Sequence, residues 1–225
     1  MNKLLETIEI ETGEIPAASI IWMHGLGADG NDFVPIVQEL DLTGMPSIRF
    51  VFPHAPMRAV TINNGCVMRA WYDVSCGDLE GNSRRADEKG VRASQTAIGS
   101  LIAREVARGM ASENIVLAGF SQGGAIALQT GLRYPQRLAG IMALSTYLPL
   151  AESLPREAAA ANAKTPIFMA HGTHDPVVPY AMGSGSHQLL GQTGYNAEWH
   201  AYPTQHSVCL EEVRDISAWL RKILR

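Results

Sequence analysis

Short apolar runs that stop at glycine, proline or a polar loop punctuate the chain. Ile20-Ile21-Trp22-Met23 leads into His24-Gly25, and Ile48-Arg49-Phe50-Val51-Phe52 into Pro53. Ile115-Val116-Leu117-Ala118 leads into Gly119, Gly140-Ile141-Met142-Ala143-Leu144 into Ser145, and Ile167-Phe168-Met169-Ala170 into His171-Gly172. Runs this short and this apolar suit strands buried on both faces, as in a parallel sheet. Between them, apolar residues recur with helical spacing. Val91, Ile98, Leu101, Ile102, Val106 and Met110 mark one helix. Ile126, Leu128 and Leu132, stopped by Pro135, mark a second, and Val213, Ile216, Trp219, Leu220 and Ile223 a third. Strand alternating with helix predicts an α/β fold: a mostly parallel central sheet with helices on both faces. The start differs. Leu5-Glu6-Thr7-Ile8-Glu9-Ile10, then Thr12-Gly13-Glu14 and a second run, predict an antiparallel hairpin at an N-terminal sheet edge. The alanine-rich stretch 157–163 reads as a short helix before a strand.

At 225 residues the chain fits one domain over 1–225 better than two small ones. Apolar residues at 46% and charged residues at 18% are ordinary for a globular chain with a core, so disorder and fibrous classes drop out. The formal net charge of -4 and the lack of a basic block speak against a nucleic-acid partner. Cys66, Cys76 and Cys209 show neither an even count nor metal-ligand spacing, so neither a disulfide framework nor a zinc site is expected. The opening residues are acidic where a secretory leader would be basic and then apolar, and no run has the length of a membrane span. A cytoplasmic protein without stable membrane insertion is the expectation.

In a parallel sheet, function gathers in the loops beyond the carboxyl ends of the strands. Gly119-Phe120-Ser121-Gln122-Gly123 sits there, between a strand and a helix. The five-residue pattern alone is weak, but that context is the setting of a nucleophilic serine on a sharp turn, its small neighbours relieving the crowding. A serine serving only as a helix cap is the plain alternative. A serine hydroxyl needs a base, and histidine titrates in the right range. In the chain order of α/β-hydrolases, the acid and then the base follow the serine. His187 lies in a helical stretch and His200 inside a strand, whereas His206 lies in a loop before the last helix. Asp175 is the one acid in the loop that follows the strand ending at His171-Gly172, and Pro176 and Pro179 stiffen that loop. The candidate catalytic residues are therefore Ser121, Asp175 and His206. The glycine-rich run His24-Gly25-Leu26-Gly27-Ala28-Asp29-Gly30 lacks phosphate-loop spacing. It fits the loop that supplies an oxyanion donor, with the Leu26 and Gln122 backbone N–H groups as the pair and His24 as a brace.

These residues carry a resemblance. His24-Gly25-Leu26-Gly27, Gly119 to Ala125, His171-Gly172 to Pro179 and His206-Ser207 resemble the phospholipase/carboxylesterase family of the α/β-hydrolase superfamily. That family includes bacterial carboxylesterases and acyl-protein thioesterases. Arg69-Ala70-Trp71-Tyr72-Asp73 and Leu144 to Pro149 also resemble its loops, the similarity runs from about Ile20 to Leu224, and the motifs lean to the bacterial carboxylesterase branch. The resemblance implies a serine carboxylesterase acting on short-to-medium acyl esters, with acyl-protein thioesterase or lysophospholipase activity as the alternative. It implies no metal or organic cofactor, and a possible homodimer. The thioesterase branch commonly has Gly before the base; here that residue is Gln205. A silent binding module on the same scaffold would need none of the three catalytic side chains. The span from Ser145 to Pro166 is too short for a lid domain, so an open groove is expected. The long segment from Pro53 to Lys89 is the expected wall, with Leu26, Met68 and Trp71 as candidate pocket residues, Trp71 serving equally well as packing.

Overall fold

The computed structural model describes residues 4–75, 77 and 87–224. A seven-stranded sheet runs through it. Its strands are β1 (Thr7–Glu11), β2 (Ala18–Met23), β3 (Ile48–Pro53), β6 (Ile115–Phe120), β7 (Gly140–Leu144), β8 (Ile167–Gly172) and β9 (Ala197–Tyr202), in the order β1-β3-β2-β6-β7-β8-β9. Only the β1–β3 pair is antiparallel. The fold is that of an α/β-hydrolase: a mostly parallel sheet, helices on both faces, and an antiparallel N-terminal edge.

That edge is not the expected hairpin. β1 pairs with β3, Ile8 opposite Phe52, while β2 lies inside between β3 and β6. Burial explains the order. Every residue of β2 is buried, and so is all of β3 except Arg49, so both strands need sheet on each side. β1 alternates Ile8 and Ile10 with Thr7, Glu9 and Glu11, a pattern that only an edge accommodates. Its acids then meet Arg49, Arg104 and Arg108, which also surround the wholly buried Glu105.

The period of two along each central strand divides the core. Ile20, Trp22, Phe50, Phe52, Val116 and Ala118 face one way. There the last helix, α4 (Leu210–Ile223), covers them with Val213, Ile216, Trp219 and Leu220. Ile21, Met23, Val51, Ile115 and Leu117 face the other way, onto α1 (Glu88–Ala107) and α2 (Gln122–Gly131). Each fully buried side chain of this size contributes about 1.5–3 kcal/mol. α3 (Tyr180–Gln192) precedes β9. A small antiparallel pair, β4 (Met57–Val60) and β5 (Cys66–Arg69), projects from the segment after β3.

Between β7 and β8 there are only single turns at Ala151–Ser153, Leu154–Glu157 and Ala160–Asn162. The predicted alanine-rich helix over 157–163 does not form. Ala158 is extended, and the Ala159 amide donates to Leu132 O at 2.9 Å. The wholly buried Asn162 then pins the turn by accepting from Leu138 N and donating to the Tyr134 and Gln136 carbonyls. Tertiary hydrogen bonds override a weak local preference here. Among the described residues, no helix is long and apolar enough to cross a membrane.

Candidate active site

Because β2, β6, β7, β8 and β9 run parallel, the loops after them open on one rim of the sheet. The sharpest turn there is at Ser121, between β6 and α2, with φ 55° and ψ -121°. A side chain tolerates this left-handed backbone only where its surroundings over-determine it. Gly119 and Gly123 supply that setting. A Cβ on Gly119 would lie 2.3 Å from the Gly123 carbonyl, and one on Gly123 would lie 2.2 Å from Met23 O. The Ser121 amide donates to Leu144 O at 2.8 Å, which ties the turn to β7.

The hydroxyl raised by this turn is met by His206, whose Nε2 lies 2.9 Å from Ser121 Oγ. The other ring nitrogen, Nδ1, donates to Asp175 Oδ2 at 2.6 Å. A carboxylate only accepts, so the proton sits on Nδ1 and Nε2 faces the serine with its lone pair. The remaining oxygen of Asp175 accepts from the Val177 and Val178 amides at 2.8 and 2.9 Å, so this 9% exposed carboxylate is fully satisfied. The loops carrying acid and base are themselves joined. Thr173 N donates to Tyr202 O and His174 N to Thr204 O. The base loop passes so close to Gly172 that a Cβ there would meet Gln205 O at 2.1 Å.

Leu26 and Gln122, the expected oxyanion pair, lie on two separate segments of the rim. Leu26 is partly buried on the loop after β2, and Gln122 opens α2. Neither backbone N–H has an acceptor among the described residues. The positive end of α2 adds to theirs. His24 braces this loop: its Nε2 accepts from Ala55 N at 3.1 Å and its Nδ1 donates to Gly25 O at 2.7 Å. Burial holds its pKa below the ordinary imidazole value, which suits this neutral tautomer.

The candidate pocket residues separate. Met68 is partly buried, with its sulfur 3.5 Å from where a Cβ on Gly27 would stand, so it flanks the Leu26 loop. Trp71, for which the sequence left wall and packing equally open, is wholly buried. Its backbone N–H donates to Gln122 Oε1 at 2.7 Å and its indole N–H to His24 O at 2.9 Å, so both its donors face protein. Of the expected wall, residues 76 and 78–86 lie outside the described ones. A cavity of about 570 Å³ has Tyr72, Val91, Tyr147, Leu150 and Met182 in its lining; Ser121, Asp175 and His206 do not line it.

Some neighbours were not legible beforehand. The Phe120 ring lies 4.7 Å from the imidazole of His206 and rests on Phe33, which stacks on Trp22. His171, wholly buried, donates from Nε2 to Val178 O at 2.9 Å and lies 3.4 Å from Asp175 Oδ2. Burial lowers its pKa, so it supports the acid loop as a neutral ring. In the sequence His171 stands at the end of a buried run and opens the segment to Pro179, but nothing there marks its contact with Asp175.

The family model described as Phospholipase/Carboxylesterase matches residues 5–224. The chain belongs to this family. Among its relatives, acyl-protein thioesterase 1 of Neurospora crassa is 41% identical, over 92% of this chain and 87% of that protein. Carboxylesterase SOBER1 of Arabidopsis thaliana is 35% identical, over 92% of this chain and 90% of that protein. The crystal structure of SOBER1 superposes with a TM-score of 0.85 at 33% identity, covering 92% of this chain and 99% of that one. A phospholipase/carboxylesterase of this kind is a serine hydrolase. These relatives carry a thioesterase name and a carboxylesterase name alike, so the leaning of the motifs to the bacterial carboxylesterase branch is not supported over the thioesterase branch.

Proposed function

We propose that this hydrolase cleaves carboxylic esters of short-to-medium acyl chains through an acyl-enzyme on Ser121. The observation that carries the reading is the aligned relay, 2.9 Å from Ser121 Oγ to His206 Nε2 and 2.6 Å from His206 Nδ1 to Asp175 Oδ2. Nε2 takes the hydroxyl proton as Oγ attacks the acyl carbon. The negative charge on the former carbonyl oxygen falls to the Leu26 and Gln122 N–H groups. The imidazolium, stabilised by Asp175, then protonates the departing alcohol. Water repeats the sequence on the acyl-enzyme and frees the acid. Leu26 and Met68 form the apolar side against which the acyl chain lies.

Thioester hydrolysis is the second reading, favoured by the 41% identical relative named acyl-protein thioesterase. It uses the same steps with a thiol as leaving group, and lysophospholipid cleavage is a further variant. Kinetics on matched ester and thioester series of rising chain length separate these readings. Ser121→Ala is expected to leave no turnover of p-nitrophenyl butyrate above buffer and no labelling by a fluorophosphonate probe. Retained turnover in that variant rules out the acyl-enzyme.

A further inference from the structure

An oxyanion hole built from two segments works only if those segments keep a fixed spacing. Here one donor, Leu26 N–H, belongs to the loop after β2, and the other, Gln122 N–H, to the start of α2. The strands beneath them pair as far as Met23 with Gly119. Beyond that rung, among the described residues, no hydrogen bond runs directly from the His24–Ala28 loop to the serine turn. The backbones pack closely there, but the hydrogen-bonded connection passes through Trp71.

Trp71 reaches both sides. Its main-chain N–H donates to Gln122 Oε1 at 2.7 Å, and Gln122 Nε2 donates to the carbonyl of Tyr72 at 2.7 Å, so two bonds hold the first side chain of α2. Its indole N–H donates to His24 O at 2.9 Å, two residues before Leu26. The segment makes a fourth bond where Gly27 N donates to Arg69 O at 2.9 Å. Trp71 is itself immobilised. It is wholly buried, its carbonyl accepts from Ser94 Oγ on α1, and its ring lies 5.3 Å from that of His24. Buried bonds of this kind hold geometry tightly because breaking one leaves a polar group without water.

We infer that Trp71 is a positioning residue that sets the spacing of the two oxyanion donors, with the Gln122 side chain as its anchor on α2. The inference rests on the hydrolase reading above and goes beyond it. Trp71 touches neither substrate nor the reacting atoms; it acts through Leu26 and Gln122. Its effect therefore belongs to the tetrahedral species rather than to the bound ester.

Trp71→Phe tests this, since it keeps a buried ring and the main-chain bond but removes the indole donor. Turnover of p-nitrophenyl butyrate is expressed per active site titrated with a fluorophosphonate. The expected result is a fall in kcat of about tenfold with KM changed less than about twofold. The inhibition constant of a trifluoromethyl ketone, which forms a hemiketal oxyanion on Ser121, is expected to rise by the same factor. An unchanged kcat per titrated site overturns the inference. So does a loss confined to the titratable fraction or the melting temperature, which is what a purely structural role gives. If Trp71→Phe does not fold, Gln122→Met breaks the opposite anchor, with the same expected and overturning results. An unaltered protein that neither labels nor turns over would sink the hydrolase reading itself, a result distinct from an active parent with an indifferent variant.

Discussion

Asp175→Asn separates a carboxylate that directs the imidazole from one that merely fills space. The two oxygens of Asp175 have different duties: Oδ1 accepts from the Val177 and Val178 amides, and Oδ2 accepts from His206 Nδ1. An asparagine must choose which end to turn to each. With its carbonyl toward the two amides, both main-chain bonds survive and the NH2 faces Nδ1. Flipped, the NH2 opposes two main-chain donors, leaving two buried amides unsatisfied at about 1–3 kcal/mol each. The first orientation therefore wins by roughly 2–6 kcal/mol. In it Nδ1 must accept, the imidazole proton moves to Nε2, and Nε2 can no longer take a proton from Ser121. A midpoint near 4 kcal/mol corresponds to about a thousandfold loss at about 1.4 kcal/mol per tenfold. Loss of the imidazolium's counter-charge adds to this, so kcat for p-nitrophenyl butyrate is expected to fall by about 10³–10⁴. KM and the urea midpoint are expected to change little. Steady-state kinetics with active-site titration measure all of this. A variant within tenfold of the parent kcat, with a full complement of titrated sites, refutes the assignment of Asp175.

Two further outcomes follow from buried groups away from the relay. Burial pushes the Glu212 carboxyl from an ordinary 4.5 up to about 8, although the Cys209 amide pulls it down. Between those values the unfolded chain has released this proton while the folded chain retains it. Stability contributed by Glu212 therefore falls as pH rises through that window, by at most about 5 kcal/mol. Glu212→Gln is expected to match the parent in urea melts at pH 5 and to exceed it at pH 8.5; parallel curves at both pH values contradict this. At the serine turn, Gly123→Ala puts a Cβ 2.2 Å from Met23 O and 2.6 Å from His24 O, both main chain. It is expected to lose about 3 kcal/mol of stability and more than tenfold in kcat. Gly99→Ala in α1, where a Cβ meets nothing within 4 Å, serves as the control and is expected to hold or gain stability. Equal melts for the two variants refute the crowding argument.

The parts of the site that could be read from the chain share one property: each is announced by residues adjacent in sequence. Gly119 to Gly123 marks its own turn because the crowding it relieves is local. Asp175 stands out as the one acid in the loop after a buried run, His206 as a histidine in the loop between a strand and the last helix, and their order fits the fold. The elements that misled were those whose neighbours come from elsewhere. β1 looked like half of a hairpin because Thr12-Gly13 offers a turn, but β3 took the place beside it. Residues 157–163 looked helical because alanine favours helix, but Leu132 O and Asn162 hold the segment otherwise. Trp71 left wall and packing equally open in the sequence, and only the fold shows its two donors facing Gln122 and His24.

The amino-acid order by itself determined the alternation of buried strands with amphipathic helices, the small-residue setting of the serine turn and the choice of Ser121, Asp175 and His206 as candidates. Those depend on volume, polarity and backbone freedom within a few residues. Tertiary structure decided the strand order, the 2.9 and 2.6 Å contacts that bring three remote side chains together, and the burial of Trp71 between the His24–Ala28 loop and the serine turn. Such features depend on which distant surfaces meet, and a hydrogen bond across that distance exists only once the intervening chain has packed.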